Sequence, residues 1–236
     1  MASSKSQFAV EEERISLAFE KRKQSGKPRL YSWHQQSVMF ERYRIRSVAA
    51  ALLTACGWYD LSAIEALDVG CGAGGWLRTL MEWGVPAEQL HGIDLLRDRV
   101  EAAQQLAPHM DLRHASGWNI PFADASQNLV SANTVFSSIL DQSARSHLAS
   151  EMLRVTKPGG YVMVYDFCIA DPRNPDTRGV LPSEVRRLFA SRKIRVRSLN
   201  LPPVFRRLAL ASPFLMAMVE GLLPLIRTHR MYLIAK

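Results

Sequence analysis

Between Ala63 and Phe167 short apolar runs alternate with helical stretches. The runs are Ala63–Gly70, Gln89–Leu96, Met110–Ala115, Asn128–Val135 and Gly159–Phe167. Each has the length of a strand and is bounded by turn or helical segments. Helical periodicity fills the gaps near Gly75–Trp83, Asp98–Leu106 and Ser143–Val155. Strands that alternate with helices predict a parallel, doubly wound sheet covered on both faces. Ahead of this region the spacing predicts two amphipathic helices. One covers about Phe8–Lys23 and stops near Gly26, Lys27 and Pro28; the other covers about Val38–Cys56, with Gly57 behind it as a stop signal. After Phe167 the rhythm changes to a helix at "PSEVRRLFA", an alternating strand at "KIRVRSLNL", an apolar helical piece, and a last strand at "HRMYLIAK".

The first strand breaks into Gly70, Gly72, Gly74 and Gly75. Glycines there permit positive φ and let main-chain N–H groups approach a ligand closely. Gly70, Gly72 and Gly75 satisfy G-x-G-x-x-G, and Asp94 closes the second strand where an acid could take ribose hydroxyls. A pyridine-nucleotide oxidoreductase is the first reading. Against it stands Asp68, which would put a negative charge beside a pyrophosphate and suits instead a ligand with a cationic end. A strand-end residue that merely caps the turn is the alternative for Asp68.

Together with "ASGWNIPFADAS" and "LRVTKPGGYVMV", the motif "LDVGCGAG" and Asp94 of "GIDLL" resemble the class I S-adenosylmethionine-dependent methyltransferases across roughly Ala66–Phe167. The resemblance implies a mostly parallel seven-stranded sheet with helices on both faces, an antiparallel last strand and an N-terminal helical cap. It implies S-adenosylmethionine as cofactor, no metal, and a cofactor site drawn from Asp68, Gly70, Cys71, Gly72, Asp94, Leu95, Ser116, Gly117, Trp118 and Asn133. Asp94 would bind the ribose and Asp68 the amino-acid end. Two positions depart from the family pattern. Ser116 stands where an acid commonly receives the adenine amino group, and Gln127–Asn128 where Phe-Asp commonly precedes the fourth strand. Trp118 is either an adenine neighbour or a core or lid aromatic.

Charge then suggests what lies above the cofactor. Of the net +8, residues 171–236 carry 13 basic and 4 acidic residues, against 10 and 14 in residues 31–170. Arg173, Asn174 and Arg178 are the candidate acceptor contacts, since arginine suits bidentate recognition of phosphate or carboxylate; a solvated basic rim is the alternative. For a general base the candidates are Asp166, His229 and His34, each with a structural role open to it. The expected activity is O-methylation of a small-molecule or glycan-type acceptor, with a nucleotide sugar, a lipid-linked glycan and a natural product all open.

The chain divides into an extension at 1–30, a core at 31–170 and a tail at 171–236 that completes the sheet and caps the site. Composition near the globular average excludes wholesale disorder. Three cysteines without C-x-x-C indicate neither zinc nor disulfides, and with no apolar leader they fit a reducing cytoplasm. No stable nucleic-acid partner is expected. The run from Leu208 to Ile226 is interrupted by Pro213, Glu220 and Pro224, so it reads as a lid or, within 201–227, as a peripheral membrane contact rather than a span.

Overall fold

The protein is described from a computed structural model, which covers residues 2–25, 35–169, 174–190, 192–200, 212–222 and 227–236. Seven strands form one sheet: β1 (Ala66–Val69), β2 (Leu90–Asp94), β3 (Asp111–His114), β4 (Gln127–Asn133), β5 (Thr156–Phe167), β6 (Ile194–Leu199) and β7 (His229–Ala235). Their order is β3-β2-β1-β4-β5-β7-β6. The first five pair in parallel, and β7 runs antiparallel to both β5 and β6, as expected for the last strand. All four residues of β1 are buried, which is why this strand is a continuous apolar run with a single acid.

Helices cover both faces. Leu67, Val69, Val130, Val162 and Val164 meet α5 (Gln142–Val155), α6 (Pro182–Leu188) and Ile15 of α1 (Ala2–Gln24). The alternate residues Ala66, Leu90, Leu129, Met163 and Leu233 meet α2 (Gln36–Thr54), α3 (Gly75–Glu82) and α4 (Arg97–Leu106). The period of two along each strand thus assigns every side chain to one core or the other. The helix α1 starts at Ala2, six residues before the periodicity suggests. From the apolar piece 208–226 the structure describes α7 (Pro213–Leu222).

The placement of α1 positions the site. At one end Leu140 N–H donates to Glu11 (2.6 Å), and Arg14 bonds both Glu11 and the Ser138 carbonyl. Phe8 stacks on Trp118 with centroids 5.6 Å apart. At the other end Lys23 pairs with Asp98 at 2.8 Å, and Phe19 lies under the Arg99 guanidinium. Residues 138–140 follow β4 and residues 98–99 follow β2, and β1 lies between those two strands. The helix therefore crosses the carboxyl end of β1, above the glycine loop.

Candidate functional site

In open α/β sheets a ligand sits outside the carboxyl ends of the strands, where the chain order switches direction. Here that point lies at β1, flanked by β2 and β4. The loop after β1 is drawn against β2: Gly70 N–H and Cys71 N–H both donate to the Ile93 carbonyl, at 2.8 and 3.0 Å. Gly70 has φ 71°, and a Cβ there would come within 2.6 Å of Val135 Cγ2, so no larger residue fits. Gly72 has φ 53° and donates its N–H to Asp94 Oδ2 at 2.8 Å. Leu96 N–H donates to Asp94 Oδ1 at 2.9 Å. Each oxygen of Asp94 thus keeps one lone pair, so the carboxylate can still accept two hydroxyl protons from a vicinal diol. Arg99 Nη1 lies 3.7 Å from the same carboxylate. Cys71, beside the loop, is buried, and burial pushes its thiol up, so it packs rather than reacts.

Asp68 points to the face of the sheet that α2 to α4 cover, and it is 2% exposed. Its Oδ1 accepts from Ser131 Oγ (2.8 Å) and Asn133 Nδ2 (3.1 Å), both on the adjacent strand β4. Burial raises its pKa to about 7, against the lowering effect of those two bonds and with a further push from Asp94. Two buried carboxylates close together favour a cationic ligand, since a positive group would relieve both the desolvation and the mutual repulsion. A diol acceptor at Asp94 and a cation acceptor at Asp68, on either side of a backbone cradle, fit the ribose and the ammonium of S-adenosylmethionine.

Residues 66–160 match the family model described as a methyltransferase domain. This segment, from β1 to the start of β5, is similar to methyltransferase domains. A demethylmenaquinone methyltransferase of Geobacillus sp. (strain WCH70) is 30% identical over 104 residues, which are 42% of this chain and 43% of that protein. The matched segment is thus less than half the length of such relatives. Among solved structures, a SAM dependent methyltransferase from Archaeoglobus fulgidus superposes with a TM-score of 0.57 at 14% identity, covering 81% of this chain and 94% of that one. A geranyl diphosphate C-methyltransferase from Streptomyces coelicolor A3(2), in complex with Mg2+, geranyl diphosphate and S-adenosyl-L-homocysteine, gives 0.57 at 17% identity, covering 81% and 77%.

The segment after β3 is tightly turned. Ser116 Oγ accepts from Trp118 N–H at 3.2 Å. A Cβ at Gly117 would come within 2.9 Å of Leu148 Cδ1, so that side chain would have to shift. The Trp118 ring is 9% exposed, with Nε1–H donated to the Ala144 carbonyl and one face on Phe8. The ring is thus packed between α5 and α1. Leu95, next to Asp94, packs against the core below α1.

The two candidate bases among the described residues do not converge. Asp166 and His229 are one position out of register across β5 and β7, so they point to opposite faces. Asp166 is 1% exposed, and its oxygens accept from Ser137 N–H and Phe167 N–H, both at 2.9 Å; burial raises its pKa to about 6. It ties the turn after β4 to β5. His229, at the start of β7 and so at the carboxyl edge of the sheet, stacks on Tyr165 with centroids 5.3 Å apart and shares a 2.9 Å bond with Thr228 Oγ1. His34 and Arg173 lie outside the described residues. Asn174 turns its own loop, with Oδ1 accepting from Asp176 N–H.

Arg178 is held by Gln142 Oε1 (3.0 Å) and Glu184 Oε1 (2.9 Å). Its Nε and the Nε2 of Gln142 are buried without a partner among the described residues. Both residues line a cavity of about 400 Å³ with Cys168, Glu184 and Arg187, beside the end of β5. Two further residues of the site escaped the sequence reading. Ser131 was marked only by being polar in an apolar strand, two positions from Asn133; Arg99 gave no signal, because its role depends on α1 lying overhead.

Proposed function

We propose that this chain is an enzyme that transfers a methyl group from S-adenosylmethionine to an oxygen of a small-molecule or glycan-type acceptor bearing an anionic group. The observation that carries the reading is the pair of buried carboxylates, Asp68 and Asp94, set at the ends of adjacent strands around the glycine loop. When bound, the cofactor supplies a methyl group on a positively charged sulfur. The chain's own contribution is placement: Asp94 and the Gly72 region hold the ribose, Asp68 with Ser131 and Asn133 holds the amino-acid end, and α1 keeps water from the reacting pair.

The acceptor's anionic group would lie in the cavity beside β5, where Arg178 Nε and Gln142 Nε2 are buried donors awaiting an acceptor atom. The hydroxyl proton would pass to His229. Asp166 is the weaker choice, because both of its oxygens already serve main-chain N–H groups behind the sheet. The relatives named for demethylmenaquinone support a small molecule as acceptor class.

Calorimetry with S-adenosylhomocysteine and with NADH tests the first part; affinity for NADH alone would replace the methyltransferase with an oxidoreductase. Methyl transfer to a panel of phosphorylated and unphosphorylated hydroxyl acceptors tests the second. A pH–rate profile that His229→Asn leaves unchanged would remove the histidine from the mechanism.

A further inference from the structure

We infer that the outer side of α7, with the adjoining side of α2, is a docking surface for an anionic lipid membrane. Phe214 is 79% exposed, Met218 46% and Leu222 72%. They are spaced four residues apart, so they form one stripe along the helix. The segment "PFLMAMVEGL" has a single charged residue, so the helix is apolar on nearly every side. A helix of that kind has more apolar surface than one neighbour can cover. Its neighbour here is α2, which in turn exposes Met39 and Tyr43, 56% and 65%, again four residues apart.

Charge selects the occupant. Arg195 and Arg197 of β6 are exposed, and their register opposite Leu233 and Met231 directs them to the face of the sheet where α2 lies. Arg42 is exposed on α2 beside Tyr43. The tail that contains α7 and β6 carries 13 basic residues against 4 acidic. A second copy of the chain would set these cations against themselves, whereas an anionic bilayer complements both the apolar stripe and its basic flank. Contact would be interfacial: no described helix is long and apolar enough to cross a membrane. The inference does not depend on which acceptor is methylated.

The test is co-sedimentation of the full chain with vesicles of phosphatidylcholine alone and with phosphatidylglycerol added. Binding should need the anionic lipid and weaken as salt is raised. The triple variant Phe214→Ser, Met218→Ser, Leu222→Ser should lose binding by tenfold or more, and Arg195→Gln with Arg197→Gln by about fivefold per arginine. Both should keep wild-type affinity for S-adenosylhomocysteine, which shows that the fold is intact. No sedimentation with either vesicle, or sedimentation that the triple variant retains, overturns the inference. So does a concentration-dependent dimer in ultracentrifugation that the triple variant abolishes, since a second copy would then cover the face.

Discussion

At the scale of single residues, the ionisation of Asp68 decides how the site behaves with pH. Its folded pKa, about 7, lies above the ordinary value of 3.8 because of burial. A carboxyl raised in this way contributes stability below the unfolded value and loses it as pH rises through the folded one. The ligand-free chain should therefore lose stability between about pH 4 and pH 7 on account of Asp68. Thermal melts of Asp68→Asn, which keeps the shape of the group, should show a shallower fall over that window. Binding of a cationic ligand favours the ionised carboxylate, so S-adenosylhomocysteine should bind about tenfold more tightly at pH 8 than at pH 6, and Asp68→Asn should flatten the dependence. Asp94→Ala should weaken the same ligand by roughly 1.5–3 kcal/mol, the range for hydrogen bonds to a charged group. It should also lower Tm, since Gly72 N–H and Leu96 N–H lose their acceptor. Titration of Asp94→Ala with unchanged affinity would remove it from the ribose contact.

Among the elements, α1 matters most for access, because it spans from the residues after β4 to those after β2. Its anchor is Glu11, buried, with its carboxyl held below the usual range by Arg14 and Leu140 N–H against the opposing effect of burial. Glu11→Ala leaves Leu140 N–H without its acceptor and the Arg14 guanidinium with the Ser138 carbonyl but no carboxylate, a cost of about 1–3 kcal/mol. The loss should fall on the docking of α1. Hydrogen exchange across residues 2–24 should quicken while the amides of β1 and β4 keep their protection; equal acceleration in both would make the helix part of the cooperative core. The exposed Lys23–Asp98 pair should contribute little.

For the molecule as a whole, two helices on the same face of the sheet are tied together by a buried charge pair. Arg145 is fully buried on α5; its Nη1 bonds both oxygens of Glu184 on α6 at 2.9 Å, and its Nε donates to the Ile139 carbonyl at 2.7 Å. Removing one partner leaves the other charge stranded, so Glu184→Gln should cost about 3–5 kcal/mol. Chemical denaturation should show the loss; a change within experimental error would mean that water reaches Arg145. Arg178 shares Glu184, so Arg178→Ala should lower Tm slightly and leave affinity for S-adenosylhomocysteine unchanged. The seven strands, their mostly parallel sense and the glycine loop were legible in the sequence because each is a local pattern: apolar runs of strand length, helical spacing between them, and glycines at a turn. The same locality made Asp68 and Asp94 visible, as acids closing apolar strands. The partners of Asp68 depend on β4 lying beside β1, a pairing of residues more than sixty positions apart. That Arg145 is paired to Glu184, that Trp118 faces α5 and α1, and that Asp166 and His229 lie on opposite sides of the sheet are likewise long-range facts. Sequence spacing fixes which residues share an element, but which side chains meet across elements is set by packing, and only the folded chain decides it.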